Sequence, residues 1–214
     1  MGENGFESKY EKIVIKNNSL LCIGLDTEFD KLPFALRVKE ESGMFEFNKA
    51  IINETASLVC AYKLNSAFYE ASGANGIKQL KQTCDYIRST FPEIPIILDF
   101  KRGDVPNTNE AYAKYAYDYL GVDAVTLNPY LGKQSLMPFL KMGNKGSIIL
   151  CRTSNQGAGE LQDLRLPDTQ PHGPVAEAMS QTHAYGGVKG NRMGVPGLGV
   201  SGEGADHDRE HRQE

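Results

Sequence analysis

The chain has 214 residues, enough to bury one sizeable core, so one domain is the default. It is 40% hydrophobic and 23% charged with a net charge of -4, a balance that gives no reason to expect nucleic acid or a membrane surface as a partner. No apolar run is long enough to span a bilayer, and Met1 to Lys12 is too polar and acidic for a signal peptide. The four cysteines, Cys22, Cys60, Cys84 and Cys151, lie far apart in apolar segments. They form no zinc-like spacing and read as small buried hydrophobes of a reducing, cytoplasmic compartment.

In chain order, Ser19 to Leu25 is a short apolar run ending at Asp26 and predicts a strand. Met44 to Leu58 predicts a helix, with Phe47, Ile51 and Thr55 stepping by four. Cys60 to Leu64 predicts a strand, and Ala74 to Ser89 a helix whose apolar face is Ile77, Leu80, Cys84 and Ile87. Ile94 to Leu98 predicts the next strand. Asn107 to Leu120 predicts a helix, with Asn107 and Glu110 spaced as a capping box and Gly121 as the stop. Asp123 to Leu127, Gln134 to Met142 and Ser147 to Cys151 predict strand, helix and strand, and Pro174 to Gln181 a further helix.

Strands alternating with helices imply parallel strands joined by right-handed crossovers. Continuous apolar strands such as Ile94 to Leu98 suit a sheet buried on both faces. A (β/α)8 TIM-barrel type and a doubly wound open sheet both satisfy this; no glycine-rich nucleotide loop follows any strand, which weighs against the open sheet. After about Leu166 apolar strand-like runs stop, eight of the residues from Gly186 to Gly204 are glycine, and Asp206 to Glu214 is almost wholly polar. The expectation is an α/β barrel domain over 1–185 with its last strands missing or degenerate, followed by an irregular tail over 186–214.

Chemistry gathers at predicted strand ends. In Leu98-Asp99-Phe100-Lys101-Arg102-Gly103-Asp104, residues 99 and 101 share one strand face, and Asp104 and Thr108 follow in the loop and helix start. Lys63 and Asn65 share a face at the end of the preceding strand, and Asp26 ends the first. Each alone has a structural reading: a salt-bridged rim, a snorkelling lysine, a turn aspartate. Three neighbouring positions on one barrel rim presenting Asp, Lys or Asn favour a site, because such a rim is the active face of a parallel barrel.

The segments G-L-D, K-L-N-S-A-F-Y-E, L-D-F-K-R-G-D-V-P-N-T, L-N-P-Y-L-G and C-R-T-S-N-Q-G-A-G resemble the orotidine 5′-monophosphate decarboxylase family, in that family's order, from about residue 5 to 166. The likeness is to its longer bacterial and protozoan branch. It implies decarboxylation of orotidine 5′-monophosphate to uridine 5′-monophosphate on a (β/α)8 barrel, by a homodimer with shared active sites and no metal or organic cofactor. It implies that Lys63, Asp99, Lys101 and Asp104 form an alternating charge network, Asp104 reaching into the neighbouring subunit's site and Lys101 protonating C6. Asp26, Asn65 and Thr108 match ribose-side contacts, and Ser154 a pyrimidine contact. The D-x-K-x-x-D core is shared with sugar-phosphate relatives, so a magnesium-dependent decarboxylase or aldolase is one alternative, and an inactive truncated relative another. The family's late apolar strand, phosphate-binding loop and arginine have no clear counterpart after Leu166; a shifted reading frame over Met193 to Val200 would restore a family-like strand, which the gene sequence decides.

Overall fold

The computed structural model describes residues 5–163. Helix α1, Phe6–Asn17, comes first. Strand β1, Cys22–Gly24, is followed by a short 3-10 turn, Phe29–Lys31, and by helices α2, Phe34–Arg37, and α3, Gly43–Thr55. Strand β2, Ala61–Asn65, leads into α4, Ser66–Glu70, and α5, Gly73–Thr90. Strand β3, Ile96–Arg102, leads into α6, Pro106–Ala113, which continues as a π-helical stretch to Leu120. Strand β4, Ala124–Leu127, helix α7, Lys133–Leu140, strand β5, Gly146–Ile149, and α8, Gly159–Gln162, complete the described chain.

The five strands are parallel and lie in sequence order, β1-β2-β3-β4-β5. That order resolves the two candidate architectures. A doubly wound sheet reverses its strand order at a switch point, whereas a (β/α)8 barrel adds each strand beside the last. The described residues are five successive units of the barrel type. The helix expected over 174–181, the domain end at 185 and the irregular tail over 186–214 lie outside the described residues.

The sheet is buried on both faces, as its apolar strands require: Ala61, Tyr62, Leu64, Ile96, Ile97, Leu98, Ala124, Val125 and Leu127 are all within 1% of complete burial. In α5 the expected stripe is present, with Leu80, Cys84 and Ile87 fully buried. In α3 the buried stripe is Met44, Asn48 and Ile52, one position on from the expected Phe47, Ile51 and Thr55, which flank it. The shift follows from Asn48, whose buried amide is hydrogen-bonded throughout.

The helix after β3 starts differently from expectation. Its cap is Val105, with Pro106 in the first helical position, so Asn107 lies inside the helix and caps nothing. Proline is pre-organised for that position and has no amide to satisfy. The loop is tied instead by Asn109, which accepts from the Asp104 amide and donates to the carbonyls of Asp104 and Ser135. Gly121, at φ +75°, ends the helix as expected.

The thiols are all free. Burial, reinforced by neighbouring Cys60, pushes the Cys22 thiol up to about 11, and burial pushes Cys84 up to about 12, as inert core cysteines require. Among the described residues no helix is long and apolar enough to cross a membrane.

Candidate active site

Parallel strands deliver their last side chains to one rim, and three elements place charge there. The register pairs Asn65 with Asp99 and Gly24 with Lys63, so the ends of β1, β2 and β3 lie side by side. Asp99 is the centre. Its side chain is 2% exposed, and both carboxylate oxygens are occupied. Lys101 Nζ donates to Oδ1 at 2.7 Å and Thr126 Oγ1 donates to the same atom at 2.8 Å. Lys63 Nζ donates to Oδ2 at 3.1 Å. Burial raises the pKa of the Asp99 carboxyl, but the hydrogen bonds from Lys101 and Thr126 and the charges of Lys63 and Lys101 outweigh it, so the group is held below the ordinary carboxylate value and stays ionised.

Lys63 also faces Asp26, 3.6 Å from Nζ to Oδ1. The rim therefore carries a row Asp26–Lys63–Asp99–Lys101 of alternating sign. Its outer members are open: the Asp26 side chain is 40% exposed and that of Lys101 39%. A charge row buried at its middle and open at its end can present an ammonium to a bound molecule while its counter-ion stays fixed.

Lys101 has an unusual backbone. It sits at φ +46°, in the left-handed region that side chains other than glycine rarely occupy. The pairing of β3 with β4 shifts register between Leu98 and Arg102, so the strand bulges there. The Lys101 amide donates to Thr126 Oγ1 at 3.0 Å, which fixes the bulge. Simple alternation correctly puts residues 99 and 101 together, but the geometry is a bulge and not a regular strand, and β3 runs four residues past its expected end at Leu98. Thr126 was not an expected site residue. A threonine within an apolar strand reads as a β-former, and its hydroxyl binds both Asp99 and the Lys101 backbone.

The remaining expected residues divide. Asn65 lies beside Asp99 in register, and its side chain accepts from the Ala67 amide as the cap of α4. Thr108 is half-buried in the first turn of α6. Asp104 is not part of the row within this chain; its Oδ1 accepts from the Val105 amide at 2.6 Å. Ser154 is exposed on the loop after β5. Among the described residues no three His, Cys, Asp or Glu side chains come together as metal ligands. A cleft of about 460 Å³ opens between the loop after β1 and helices α4 and α5, lined by Glu28, Asp30, Glu40 and Phe68 among others. Its carboxylates would repel an anion, unlike the lysine-bearing rim.

The sequence signature of the orotidine 5′-phosphate decarboxylase / HUMPS family matches residues 19–214. The chain belongs to that family. An orotidine 5′-phosphate decarboxylase of Herpetosiphon aurantiacus is 49% identical over 166 residues, covering 78% of this chain and 61% of that protein. One from Roseiflexus sp. is 42% identical over 208 residues, covering 87% and 75%. Among solved structures, OMP decarboxylase of Leishmania donovani superposes with a TM-score of 0.70 at 36% identity, over 81% of this chain and 64% of that one. The chain spans about 60% of the length of the first curated relatives it matches. Within this family the four-membered charge row is the candidate active site.

Proposed function

We propose that this protein decarboxylates orotidine 5′-monophosphate to uridine 5′-monophosphate, using Lys63, Asp99 and Lys101 with Asp104 supplied by a second copy. The observation that carries this reading is the Asp99 carboxylate, buried and ionised between two ammoniums, one of them open at the rim. Breaking the bond between C6 and the carboxylate leaves an electron pair on C6 that the ring cannot delocalise. Lys101 Nζ, held by Asp99, which Thr126 fixes in turn, supplies a positive charge where that pair develops and then its proton; water returns the proton to the lysine. A fixed ammonium aimed at a developing charge acts more strongly in the transition state than in the ground state. Asp26, Asn65 and Thr108 face the ribose and Ser154 the pyrimidine. The curated relatives named above carry the same activity in their names, which supports the assignment of substrate.

A homodimer suits the rim. Asp104 binds the Val105 amide and not the row of its own chain, and Val105, with Tyr130 and Leu131 on the loop after β4, is exposed, at 46%, 86% and 47% in turn. A second copy over this edge would cover those apolar groups and bring its own Asp104 to the row. The free thiols suit a cytoplasmic setting.

The test is the fall in ultraviolet absorbance of orotidine 5′-monophosphate with the full chain, in the presence and absence of a strong chelator. Turnover unchanged by the chelator is expected. No turnover overturns the assignment, and turnover lost on chelation points to the metal-dependent sugar-phosphate chemistry of the superfamily.

A further inference from the structure

Three buried polar side chains outside the charge row, Asn48, Tyr69 and Thr83, form a network that reaches both residues flanking Asp26, Leu25 and Thr27. Thr27, 6% exposed, donates from Oγ1 to Asn48 Oδ1 at 2.5 Å. Asn48, fully buried on α3, donates to Tyr69 Oη at 2.9 Å and to Thr83 Oγ1 at 3.2 Å. Tyr69, fully buried on α4, donates to the Leu25 carbonyl at 2.7 Å. Thr83, on α5, donates to the Gln79 carbonyl of its own helix. The Leu25 amide donates to the Lys63 carbonyl at 2.7 Å. Asp26 therefore sits between two pinned neighbours, while its own carboxylate is open to solvent and faces Lys63.

Such a network is an expensive way to fill a core. Apolar side chains of similar volume would serve packing without desolvating an amide and three hydroxyls, and a half-satisfied network is worse than none. Here each amide hydrogen and the oxygen of Asn48 has a partner. What the network achieves that apolar packing cannot is direction: it holds a short loop at two points, the Leu25 carbonyl from α4 and the Thr27 hydroxyl from α3, with Thr83 of α5 bracing Asn48.

We infer that Thr27, Asn48 and Tyr69 are positioning residues for Asp26, holding its carboxylate beside Lys63 so that it meets a ligand hydroxyl without first having to be ordered. This rests on the reading of Asp26 as a ribose-facing group. Preorganisation of a binding group lowers the cost of binding and leaves the chemical step alone, so the expected signature is in KM and not in kcat.

The experiment compares the full wild-type chain with Thr27→Val, Thr27→Ser, Asp26→Ala and the Asp26→Ala/Thr27→Val pair. Turnover of orotidine 5′-monophosphate and amide hydrogen exchange at Leu25 are both measured. Thr27→Val keeps the shape and removes the donor; it is expected to raise KM about tenfold with kcat within about twofold. Thr27→Ser keeps the hydroxyl and is expected to restore KM. In the Asp26→Ala background, Thr27→Val is expected to change KM no further, because its effect passes through the missing carboxylate. Exchange at Leu25 is expected to quicken about tenfold in Thr27→Val while β3 amides keep their rates. An equal rise in KM in both backgrounds, or unchanged exchange at Leu25, overturns the inference. If the wild type fails to turn over substrate, the decarboxylase reading falls by itself, and the exchange rates still decide whether the network pins the loop. Should Thr27→Val not fold, Tyr69→Phe removes the hydroxyl on the other flank and carries the same test.

Discussion

Both ends of the sheet carry lysine–aspartate pairs, and they are built for different ends. At the N-terminal end of the strands Asp123 Oδ2 binds Lys9 of α1 at 2.8 Å and also accepts from the Ile96 amide at 2.8 Å. Lys145 donates to the Val122 carbonyl at 2.6 Å and lies over the Tyr117 ring. Burial lowers its pKa, partly offset by Asp123. There the charges are tied to backbone and ring, and Lys9 and Asp123 are 19% and 21% exposed. At the opposite end Lys63 and Lys101 bind carboxylates, Lys101 stands on a left-handed backbone, and the row opens to solvent. Residue type does not separate a structural charge from a functional one. What separates them is whether the pair's charges are tied to the protein's own backbone, as Asp123 and Lys145 are, and whether the backbone accepts strain to hold an ammonium out, as at Lys101.

The sharpest way to break this contrast is to remove Lys101. In the full chain, Lys101→Ala is expected to lower kcat about 10³-fold or more, since on the proposed mechanism it removes a preorganised donor aimed at developing charge. Lys101→Arg is expected to fail as well, because a planar guanidinium does not replace a compact ammonium. Lys101→Gly loses the same charge but is at ease at φ +46°, so it should be more stable than Lys101→Ala by about 1 kcal/mol in urea unfolding. Equal stability of the two would mean that the bulge holds no strain. Next in size is complementation across the proposed dimer. Asp104→Ala and Lys101→Ala chains, each inactive, should on mixing yield heterodimers with one intact site, recovering about a quarter of wild-type activity at equal ratio. Subunit exchange without recovered activity would place Asp104 outside the shared site.

Much of the rim was readable before the fold was known. Asp99 and Lys101, Lys63 and Asn65 are pairs two apart at the ends of apolar runs, and a strand puts such pairs on one face. What escaped has a common cause. Thr126 and Asn48 are polar residues doing their work inside apolar elements, where a search for hydrophobic periodicity treats them as neutral or as interruptions. The bulge at Lys101 depends on a hydrogen bond from another strand, which no local spacing encodes. Helix α1 has a thin signal of its own, with Phe6, Tyr10 and Ile13 recurring at helical spacing within a largely polar segment. Asp104 and Ser154 come from the family resemblance alone, and the described chain gives neither a partner in the row.

A smaller effect distinguishes the two ends through pH. Asp99 is held below the ordinary aspartate value of 3.8, so its ionised form stabilises the folded chain. That contribution is whole above the unfolded value, hence across pH 5 to 8, and is lost as pH falls through 3.8 toward the lower folded value. Asp99→Asn should therefore be less stable than wild type at pH 7, and its melting temperature should fall less steeply between pH 5 and 3. Parallel curves for the two proteins would show that the rim pair is not held as its geometry indicates.

The smallest expected effect on activity comes from the opposite end. Asp123→Ala removes the acceptor of the Ile96 amide at the start of β3 and leaves Lys9 without its carboxylate. A buried amide without an acceptor costs about 1–3 kcal/mol. Lys9→Met removes only the ion pair and keeps most of the stem's packing, and a part-exposed pair contributes about 1 kcal/mol or less. Asp123→Ala should thus lower the urea midpoint clearly and Lys9→Met slightly, with KM and kcat of the folded enzyme unchanged in both. The order matters more than the sizes. If Lys9→Met were the more damaging, the role of Asp123 would be to neutralise a lysine, as Asp99 does at the rim. If either variant altered kcat without loss of stability, the division between a structural end and a reactive end would be wrong, because β3, which runs from Ile96 at one end to Lys101 at the other, would be transmitting the change along its length.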